Sequence, residues 1–385
     1  MRWLVYDWAS YLQYDLYFIL REKGIAFDKF AWTFEDKNAD EAFEDWFSKN
    51  IDTAGFDALI SINYWPILSK MCKEKGLKYI AWCYDCPLNV ERIEETLGNE
   101  TNYVFLFDLM QYNTYKMMGF DTVYHLPLGT NPARLKNIFQ TDIDLLKYQC
   151  DVSFVGSLYE SQILNIMDPL DAYTKGYLDS LMDIQLKVYG YYLFDDALDE
   201  ELMERINARY QQVRPGTKFI LSKEALAFAM ASEVTRKERA ILLQLCGNRF
   251  QTDCYSFHDC RFLKNVRKRE CVDYLFELPK VYAASKINLN PSLKCIQTGI
   301  PLRVFDVLGS GGFLLSNYQA ELCEAFENEK EVVIYENLED ALDKADFYLR
   351  HEELRVQIAN AGREKVFTEH TLQQRLEYIT EILEG

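Results

Sequence analysis

The sequence predicts an α/β protein of two doubly wound domains, each built on a parallel sheet that helices cover. Short apolar, strand-like segments alternate with helix-like segments over the first 148 residues, and a strand–glycine–helix order restarts at Cys150. Apolar strands separated by helices are typical of parallel sheets buried on both faces. A length of 385 residues suits two domains of ordinary size.

The first domain is predicted to span residues 1–148 and to alternate strands with amphipathic helices. Strands are expected at RWLVYD (from Arg2), IAFDKFAWT, FDALISI (from Phe56), LKYIAWC, NYVFLFD and DTVYHLPL. Helical spacing of apolar residues predicts helices at Leu12–Leu20, Glu41–Phe47 and Ile67–Lys75. Gly24 and Gly76 follow the first and third of these helices, where glycine commonly ends a helix.

The second domain is predicted to span residues 149–367 and to show the same alternation of strands and helices, with one interruption. Strands are expected at CDVSFVGS (from Cys150), IQLKVYGYYLF (from Ile184), NRFQTDCYS, KINLN, GGFLLS and EVVIYE. Residues 195–250 have a helical period without a strand, which predicts a helical insertion. A final amphipathic helix is expected after Thr371, because Thr371 and Gln374 have the spacing of a capping box.

Charge and hydropathy exclude several classes of protein. The net charge of −18 disfavours nucleic acid as a partner, because binding to phosphate backbones needs a positive surface. An apolar run long enough to span a membrane is absent from the sequence, and Asp7 interrupts the N-terminal apolar stretch too early for a signal peptide. We therefore expect a cytoplasmic protein whose ten cysteines are mostly reduced thiols.

The cysteine and basic clusters are not predicted to be functional. Cys83 and Cys86 have the spacing of a redox pair, but Pro87 follows them instead of a helix, so small buried residues are the better interpretation. The spacing of cysteines and His258 between residues 254 and 271 matches no zinc site. The basic cluster at residues 261–269 is expected to be a solvated helical face, with an anionic acceptor or a membrane surface as the alternative.

The segment IPLRVFDVL, from Ile300, is apolar on nearly all sides and yet contains Arg303 and Asp306. As a helix it should be buried, and buried charges need partners. One interpretation is that Arg303 and Asp306 pair with each other, although a cation before an anion is the less favourable order on a helix. The functional interpretation places Arg303 against a diphosphate and Asp306 against ribose hydroxyls.

Two glycine positions are candidates for close approach to a ligand. The GSGG segment that contains Gly311 follows a predicted helix and precedes a strand, which is the wrong order for a dinucleotide-binding fingerprint. Gly311 could still let the backbone approach a ligand, or it could simply end the helix. Gly156 and Ser157 are the better phosphate-binding candidates, because they follow a strand and precede a helix.

Several of these motifs together resemble a known family. SKINLN, GIPLRVFD, GGFLL, the charged segment from Leu338 and EHTLQQR closely resemble the C-terminal half of bacterial glycosyltransferases of the spore maturation protein CgeB type, within the wider group 1 glycosyltransferases. The resemblance is specific over Val152–Ser157 and Leu278–Arg375. It is looser in the first domain, where IAWCYDCP resembles a YxxWxxDxP segment.

The resemblance implies a GT-B fold, with two facing Rossmann-like domains and a nucleotide sugar bound to the second. It also implies that the last helix, residues 368–385, returns to the first domain. Group 1 enzymes hold the donor with a Glu-x7-Glu pair, and Asp306 lies at the second, ribose-binding position. The first position is Thr298 here, so the donor sugar and the stereochemistry are left open.

The predicted chemistry is glycosyl transfer without a metal or a bound cofactor. Arg303, Ser157 and helix N-termini would stabilise the diphosphate leaving group. Asp85 is the first candidate for the base that deprotonates an acceptor hydroxyl, with an Asx turn before Pro87 as the alternative, and Asp7 is the second candidate. Tyr282 is singled out as an aromatic ring on which a sugar could stack. The predicted donor-binding residues are Gly156, Ser157, Tyr282, Asn290, Arg303, Asp306 and Gly311.

The sequence thus predicts a glycosyltransferase that moves a hexosyl or N-acetylhexosaminyl group from a nucleotide sugar, UDP-linked by preference, to a hydroxyl of a protein or a cell-surface glycan. Two alternatives stay open. One is a sugar-nucleotide epimerase of GT-B architecture. The other is a non-catalytic protein of spore or surface assembly that kept the fold.

Overall fold

The protein divides into two compact units, each containing one six-stranded parallel sheet. The computed structural model describes residues 1–88, 90–138, 140–216 and 219–385. The first unit contains Met1–Asn137, Thr298–Phe305 and Lys365–Gly385, and the second contains Ile138–Gln297 and Asp306–Glu364. The predicted α/β class with two doubly wound domains is confirmed.

The first sheet contains all six strands predicted from the apolar segments. They are β1 (Arg2–Tyr6), β2 (Ala26–Phe30), β3 (Ala58–Ile62), β4 (Lys78–Trp82), β5 (Asn102–Leu106) and β6 (Val123–His125). Their order across the sheet is β2-β1-β3-β4-β5-β6. The direction of winding therefore reverses between β1 and β3, and such a reversal opens a crevice at the carboxyl ends of the strands.

The helices that the structure describes within residues 1–137 are flanked in several cases by residues whose chemistry favours helix termini. They are α1 (Gln13–Glu22), α2 (Glu41–Asn50), α3 (Pro66–Lys75), α4 (Glu94–Leu97), α5 (Leu109–Met117) and α6 (Pro132–Lys136), with a 3₁₀ turn at Thr53–Gly55. Asp40 caps α2 by accepting a hydrogen bond from the Phe43 amide at 2.9 Å. Gly76 ends α3 in the left-handed conformation, with φ at +64°.

The second sheet has the strand order of a dinucleotide-binding domain. Its strands are β7 (Cys150–Val155), β8 (Thr252–Tyr255), β9 (Val266–Arg269), β10 (Ser285–Asn290), β11 (Leu314–Asn317) and β12 (Val333–Tyr335). Across the sheet they follow the order β9-β8-β7-β10-β11-β12. The reversal lies between β7 and β10, which are hydrogen-bonded neighbours with Ile287 opposite Val152.

Strand β9 corrects the expectation of a basic helical face. Its sequence, VRKR, lacks the apolar alternation that predicts a strand. It lies at the edge of the sheet, where Arg267 and Arg269 both pair with Asp253 of β8, at 2.5 and 3.2 Å. Basic side chains on an edge strand discourage pairing with another chain, so this basic run has a structural role.

The predicted helical insertion is present, although its helices begin before residue 195, and it has its own hydrophobic cluster. It contains α8 (Ile163–Met167), α9 (Ala172–Gln185), α10 (Phe194–Ala197), α11 (Glu200–Val213) and α12 (Lys223–Gly247). The strand expected at IQLKVYGYYLF is wrong, because the Gln185 side chain bonds the backbone of Tyr191 and Leu193 and folds the segment into turns. Gly190 lies there with φ at +76°.

Further helices that the structure describes are α7 (Asp142–Tyr148), α13 (Leu278–Ala284), α14 (Leu302–Gly309), α15 (Ala320–Ala325), α16 (Leu338–Arg350) and α17 (Glu352–Glu369). Asp144 forms a capping box with Thr141 at the start of α7 and pairs with Lys280 at 3.0 Å. These contacts place α7 in the second unit, so the change of unit comes at residue 138 and not at residue 149.

The last helix, α18 (Leu372–Glu384), belongs to the first unit, as expected. Its predicted capping box forms between Thr371 and Gln374. Its apolar stripe is buried, and it packs against α1. Lys78 of β4 donates a hydrogen bond to the Leu383 carbonyl. In the described ranges, we find no helix with the length and apolar character needed to cross a membrane.

A buried ion pair ties α1 to α6 in the first unit. Asp15, which is 2% exposed, accepts hydrogen bonds from Arg134 Nε and Nη2 at 2.9 and 3.0 Å, and from Asn131 Nδ2 at 2.9 Å. Removing one partner of a buried pair leaves the other charge without compensation. The fold of the first unit should therefore be sensitive to this carboxylate.

We predict that Asp15→Ala lowers the free energy of unfolding by about 3–5 kcal/mol, because it leaves the Arg134 guanidinium in a poorly solvated site. The exposed pair of Asp45 and Lys49 provides the matched control, and Asp45→Ala should cost less than about 0.5 kcal/mol. Urea denaturation followed by circular dichroism measures both. Equal effects of the two variants would contradict a structural role for the buried pair.

Candidate functional site

The carboxyl edge of the second sheet places two loops side by side at the strand reversal. Gly156 and Ser157 follow β7, while Asn290 ends β10 and Pro291 follows it. Ligands of open α/β sheets bind at this point, outside the carboxyl ends of the strands. The predicted phosphate-binding pair therefore lies at the position that the topology favours for a ligand.

The loop after β7 has a backbone conformation that requires glycine. Gly156 has φ at +153°, and its amide donates to the Tyr255 carbonyl at 3.0 Å. The Ser157 hydroxyl accepts from the Tyr159 amide at 2.9 Å and lies 3.3 Å from His258 Nδ1. Ser157 is half-buried, so its hydroxyl is held by the loop and still reaches the surface.

Arg239 holds the two loops together, and sequence reasoning missed it. This arginine of α12 is 2% exposed. It donates to the Pro291 carbonyl from Nε and Nη2, at 3.1 and 2.7 Å, and to the Ser157 carbonyl from Nη1, at 2.6 Å. Arg239 could have been identified from the sequence as a charged residue among the regularly spaced apolar residues of the insertion. The arginine fixes the backbone of the loops after β7 and β10.

A second buried charge cluster lies next to Arg239 in the sequence. Glu238 is fully buried, and its carboxylate lies 3.1 Å from Lys294 Nζ and accepts a hydrogen bond from the Tyr189 hydroxyl at 2.5 Å. The Lys294 ammonium also lies 3.8 Å from the centroid of the Tyr189 ring. Burial and the charge of Glu238 raise the pKa of Tyr189, so its hydroxyl stays protonated and donates.

A small cavity of about 20 Å³ opens at the carboxyl ends of β10 and β11. Its polar lining includes Lys294, Gln297, Asn317 and Gln319. Residues 188–192 of the insertion line the other side, where a side chain on Gly190 would come within 2.7 Å of the Tyr318 ring. The cavity has room for about one water molecule and is rich in hydrogen-bonding groups.

Three predicted donor-binding residues have structural roles in this arrangement. Tyr282 of α13 is 3% exposed, which leaves no ring face for a sugar to stack on, and this corrects the stacking expectation. Asn290 is buried and donates to the hydroxyls of Ser292 and Ser316, at 3.3 and 2.9 Å. Gly311, with φ at +79°, belongs to the turn that ends α14, because its amide donates to the Leu308 carbonyl.

The two charged residues of α14 differ in exposure. Asp306 is 8% exposed and accepts from the Tyr274 hydroxyl, at 3.1 Å to Oδ1 and 3.3 Å to Oδ2. Arg303 lies in the first turn of the helix and is half-buried. Thr298 precedes α14, and its backbone amide donates a hydrogen bond to the Asp108 carboxylate at 2.9 Å. The Tyr274 hydroxyl thus orients the Asp306 carboxylate.

Both candidate bases follow strands at the carboxyl edge of the first sheet, and Asp85 is bound to a fixed asparagine. Asp85 follows β4, and its Oδ2 accepts from Asn63 Nδ2 at 2.6 Å. Asn63 follows β3 in the left-handed conformation and accepts from the amides of Tyr84 and Asp85, at 3.0 and 3.2 Å. Asp7 follows β1, accepts from the Ala9 amide at 3.2 Å and lies 3.4 Å from Lys29 Nζ.

The environment of Asp85 shifts its acidity in the direction that suits a base. Desolvation by the surrounding protein raises the pKa of Asp85 above its usual value, while the Asn63 hydrogen bond and the charge of Lys37 oppose this rise. A raised pKa strengthens the carboxylate as a proton acceptor. Asp85 therefore has both an oriented carboxylate and a perturbed pKa, and perturbed carboxyl groups cluster at functional sites.

The cysteines of the chain carry no functional signal. All ten are thiols, and Cys83 and Cys86 are both buried. Burial raises the pKa of Cys83 well above its usual value, so the thiol is protonated and unreactive. The interpretation of this pair as small apolar residues agrees with these positions.

Comparison with protein families gives one match. Residues 225–381, less than half of the chain, match the model of a glycosyl transferase-like family. The matched segment begins in α12 and ends in α18, so it contains Arg239, Lys294 and Asp306. No curated protein sequence matches the chain at a significant level. The family match supports the glycosyltransferase resemblance, and the CgeB type remains a proposal.

Comparison with solved structures shows the fold. Sucrose-phosphate synthase from Thermosynechococcus elongatus aligns with a TM-score of 0.58 and 10% identity, over 100% of this chain and 98% of that chain. HepE from Anabaena, in complex with UDP and glucose, aligns with a TM-score of 0.55 and 10% identity over 100% of both chains. The GT-B fold predicted from the sequence is therefore confirmed.

A protein of a different activity has a similar structure. A putative UDP-N-acetylglucosamine 2-epimerase from Listeria monocytogenes aligns with a TM-score of 0.51 and 10% identity, over 98% of this chain and 94% of that chain. Because identity is so low in every case, these similarities concern architecture alone. The fold by itself does not separate glycosyl transfer from epimerisation.

The hydrogen bond between Asn63 and Asp85 leads to a testable prediction about acidity. We predict that Asn63→Gly raises the pKa of Asp85 further, because the variant removes a donor that stabilises the carboxylate while glycine keeps the left-handed backbone. Carbon-detected NMR titration of the Asp carboxyl groups measures the shift. Asn50→Ala, which removes an exposed amide of α2, is the control. An unchanged or lower Asp85 pKa in Asn63→Gly would contradict the conclusion that the Asn63 hydrogen bond stabilises the Asp85 carboxylate.

Proposed function

We propose that this protein is a metal-independent glycosyltransferase of the CgeB type that uses a nucleotide sugar, UDP-linked by preference. The observation that carries the proposal lies at the strand reversal between β7 and β10, where the glycine loop after β7 meets the loop after β10. The buried side chain of Arg239 holds these two loops together. The family match over residues 225–381 and the sequence resemblance support it. The product would be a hexosylated or N-acetylhexosaminylated hydroxyl.

The donor is proposed to bind along the carboxyl edge of the second sheet. Asp306, oriented by Tyr274, is the candidate acceptor of ribose hydroxyl hydrogen bonds. Gly156 and Ser157 are the candidate partners of the diphosphate, because the glycine lets the backbone approach the phosphates closely. Arg303 is proposed to neutralise the charge that develops on the leaving diphosphate.

The acceptor is proposed to bind to the first unit, with Asp85 as the base. In the transfer step, the bond between the sugar C1 and the diphosphate oxygen breaks, and a bond between C1 and the acceptor oxygen forms. The acceptor proton moves to the Asp85 carboxylate, and the nucleoside diphosphate leaves with the electron pair of the broken bond. Asp7 is the second candidate for this role.

The proposed location is a reducing compartment such as the cytoplasm of a bacterium, because ten cysteines carry free thiols. The acceptor is proposed to be a protein or a cell-surface glycan. A sugar-nucleotide epimerase is kept as the second candidate, since the Listeria structure has a similar fold.

Incubation with a panel of UDP-sugars tests the proposed reaction. Release of UDP that depends on an added acceptor, with the sugar recovered on that acceptor, is the expected result. Inversion at the sugar C2 with no acceptor would establish the epimerase instead. Binding of UDP-sugars by calorimetry without any turnover would favour the non-catalytic alternative, and absence of binding would contradict the proposal as a whole.

We predict that Asp306→Ala weakens the binding of a UDP-sugar by more than about tenfold, because a charge-assisted hydrogen bond to ribose is lost. Titration calorimetry measures the affinity, and circular dichroism checks that the variant is folded. Asp179→Ala, at an exposed position of α9, is the matched control and should bind like the parent protein. Unchanged affinity in a folded Asp306→Ala protein would remove Asp306 from the donor site.

We predict that Asp85→Asn lowers the turnover rate by about 10²-fold or more while donor affinity is retained, because the amide cannot accept the acceptor proton. In the parent protein, activity should fall as the pH drops through the Asp85 pKa, at a pH above the usual range of aspartate. Steady-state kinetics over a pH series measures both. Parent-like turnover of Asp85→Asn, with a large loss in Asp7→Asn, would assign the base to Asp7.

A further inference from the structure

We propose that the carboxyl edge of the first unit binds a neutral carbohydrate chain, on an aromatic platform formed by Trp8, Trp65 and Tyr84 beside Asp85. The inference rests on the proposed function, because it makes the acceptor a glycan and not a protein. It concerns residues to which neither the family match nor the structural neighbours give a role, since the family match begins at residue 225.

The topology brings these three rings to one edge of the sheet. Trp8 comes two residues after β1, Trp65 three residues after β3 and Tyr84 two residues after β4. Strands β1, β3 and β4 are consecutive neighbours in the sheet, so the loops that carry the rings are adjacent. The strand reversal between β1 and β3 makes this edge the favoured ligand position of the first unit.

The rings of the platform are held in fixed orientations. Trp8 and Tyr84 are parallel within 2°, with ring centroids 6.4 Å apart, and Trp8 meets Trp65 at 65° with centroids 5.8 Å apart. The indole N–H groups of Trp8 and Trp65 both donate to the Ile62 carbonyl, at 2.8 and 3.2 Å. Rigid side chains lose little conformational entropy when a ligand binds.

The platform keeps part of its apolar surface in contact with water. Trp8, Trp65 and Tyr84 are all partly exposed, whereas the strand residues beneath them, such as Ile62 and Trp82, are fully buried. A contiguous group of partly exposed aromatic rings at a sheet edge is a candidate binding surface. Its place beside the oriented Asp85 carboxylate suggests a ligand with both apolar and hydroxyl-bearing surfaces.

A carbohydrate fits this combination of groups. One face of a sugar ring presents C–H groups, which pack against the electron-rich face of an aromatic ring, while the hydroxyls at the ring edge need hydrogen-bonding partners. Asp85 supplies a carboxylate at the platform, fixed by Asn63. Asp7 adds a second carboxylate at the same edge, and Lys29 lies 3.4 Å from it, so the edge offers no excess positive charge to an anionic polymer.

The charge of Lys37 is compatible with a neutral ligand. Its ammonium lies 5.1 Å from the centroid of the Trp65 ring and lowers the pKa of Asp85, so it offsets part of the acidic charge. An aromatic platform with balanced charge discriminates little between sugar types, because every sugar ring presents C–H groups. Specificity would then come from the hydroxyls that reach Asp85.

Binding of neutral oligosaccharides in the absence of any donor tests the proposal. The probes are cellotetraose, maltotetraose and chitotetraose, with a serine-rich peptide as the protein-type acceptor. Saturation-transfer NMR and the intrinsic tryptophan fluorescence of the full chain report binding. At least one tetrasaccharide should bind at concentrations of about millimolar or below and change the tryptophan emission.

The variants assign the binding to the platform. Trp8→Ala should weaken oligosaccharide binding by about tenfold, whereas Trp8→Phe should keep most of it. Tyr173→Ala, which removes a ring that is 72% exposed on α9, is the matched control and should bind like the parent. If Trp8→Ala fails to fold, as judged by circular dichroism, Tyr84→Ala provides the same test.

The possible failures are distinguishable because donor chemistry plays no part in the binding assay. Absence of binding to all three tetrasaccharides, equal binding by Trp8→Ala and the parent, or binding of the peptide alone would overturn the glycan platform. Oligosaccharide binding without turnover of any UDP-sugar would instead contradict the proposed transfer reaction and leave the platform supported.

Discussion

The constraint on which both proposed sites depend is the reversal of strand order within each parallel sheet. All carboxyl ends of a parallel sheet lie on one edge, and a reversal separates the connections on either side of it. In the first unit this happens between β1 and β3, and in the second between β7 and β10. Side chains and loops that are far apart in the sequence, such as Gly156 and Asn290, therefore become neighbours.

The helical insertion contributes to the second of these edges. Its longest helix, α12, carries Arg239, which binds the carbonyls of both strand-end loops, and Glu238, which pairs with Lys294 of the loop after β10. Buried charges are costly unless they are paired, so the hydrogen bonds of Arg239 and the ion pair of Glu238 with Lys294 favour one arrangement of the loops. The insertion thus fixes the backbone to which we assign the phosphate groups.

Much of the fold follows from the sequence, because apolar strands, glycine helix ends and capping residues are local signals. The capping box at Thr371 and the six strands of the first sheet are examples. The basic edge strand β9 could not be found this way, since the pairing of Arg267 with Asp253 is a tertiary contact. The roles of Arg239 and the burial of Tyr282 depend on packing between distant segments, which periodicity does not reveal.

The central claim is that the carboxyl edge of the second sheet holds a nucleoside diphosphate. Hydrogen exchange measured by mass spectrometry on the full chain, with and without UDP, tests it most directly. The claim predicts slower exchange in the segments around Gly156 and Pro291, at the two strand ends that Arg239 joins. Exchange that UDP leaves unchanged in both segments, or protection confined to other parts of the chain, would contradict the account.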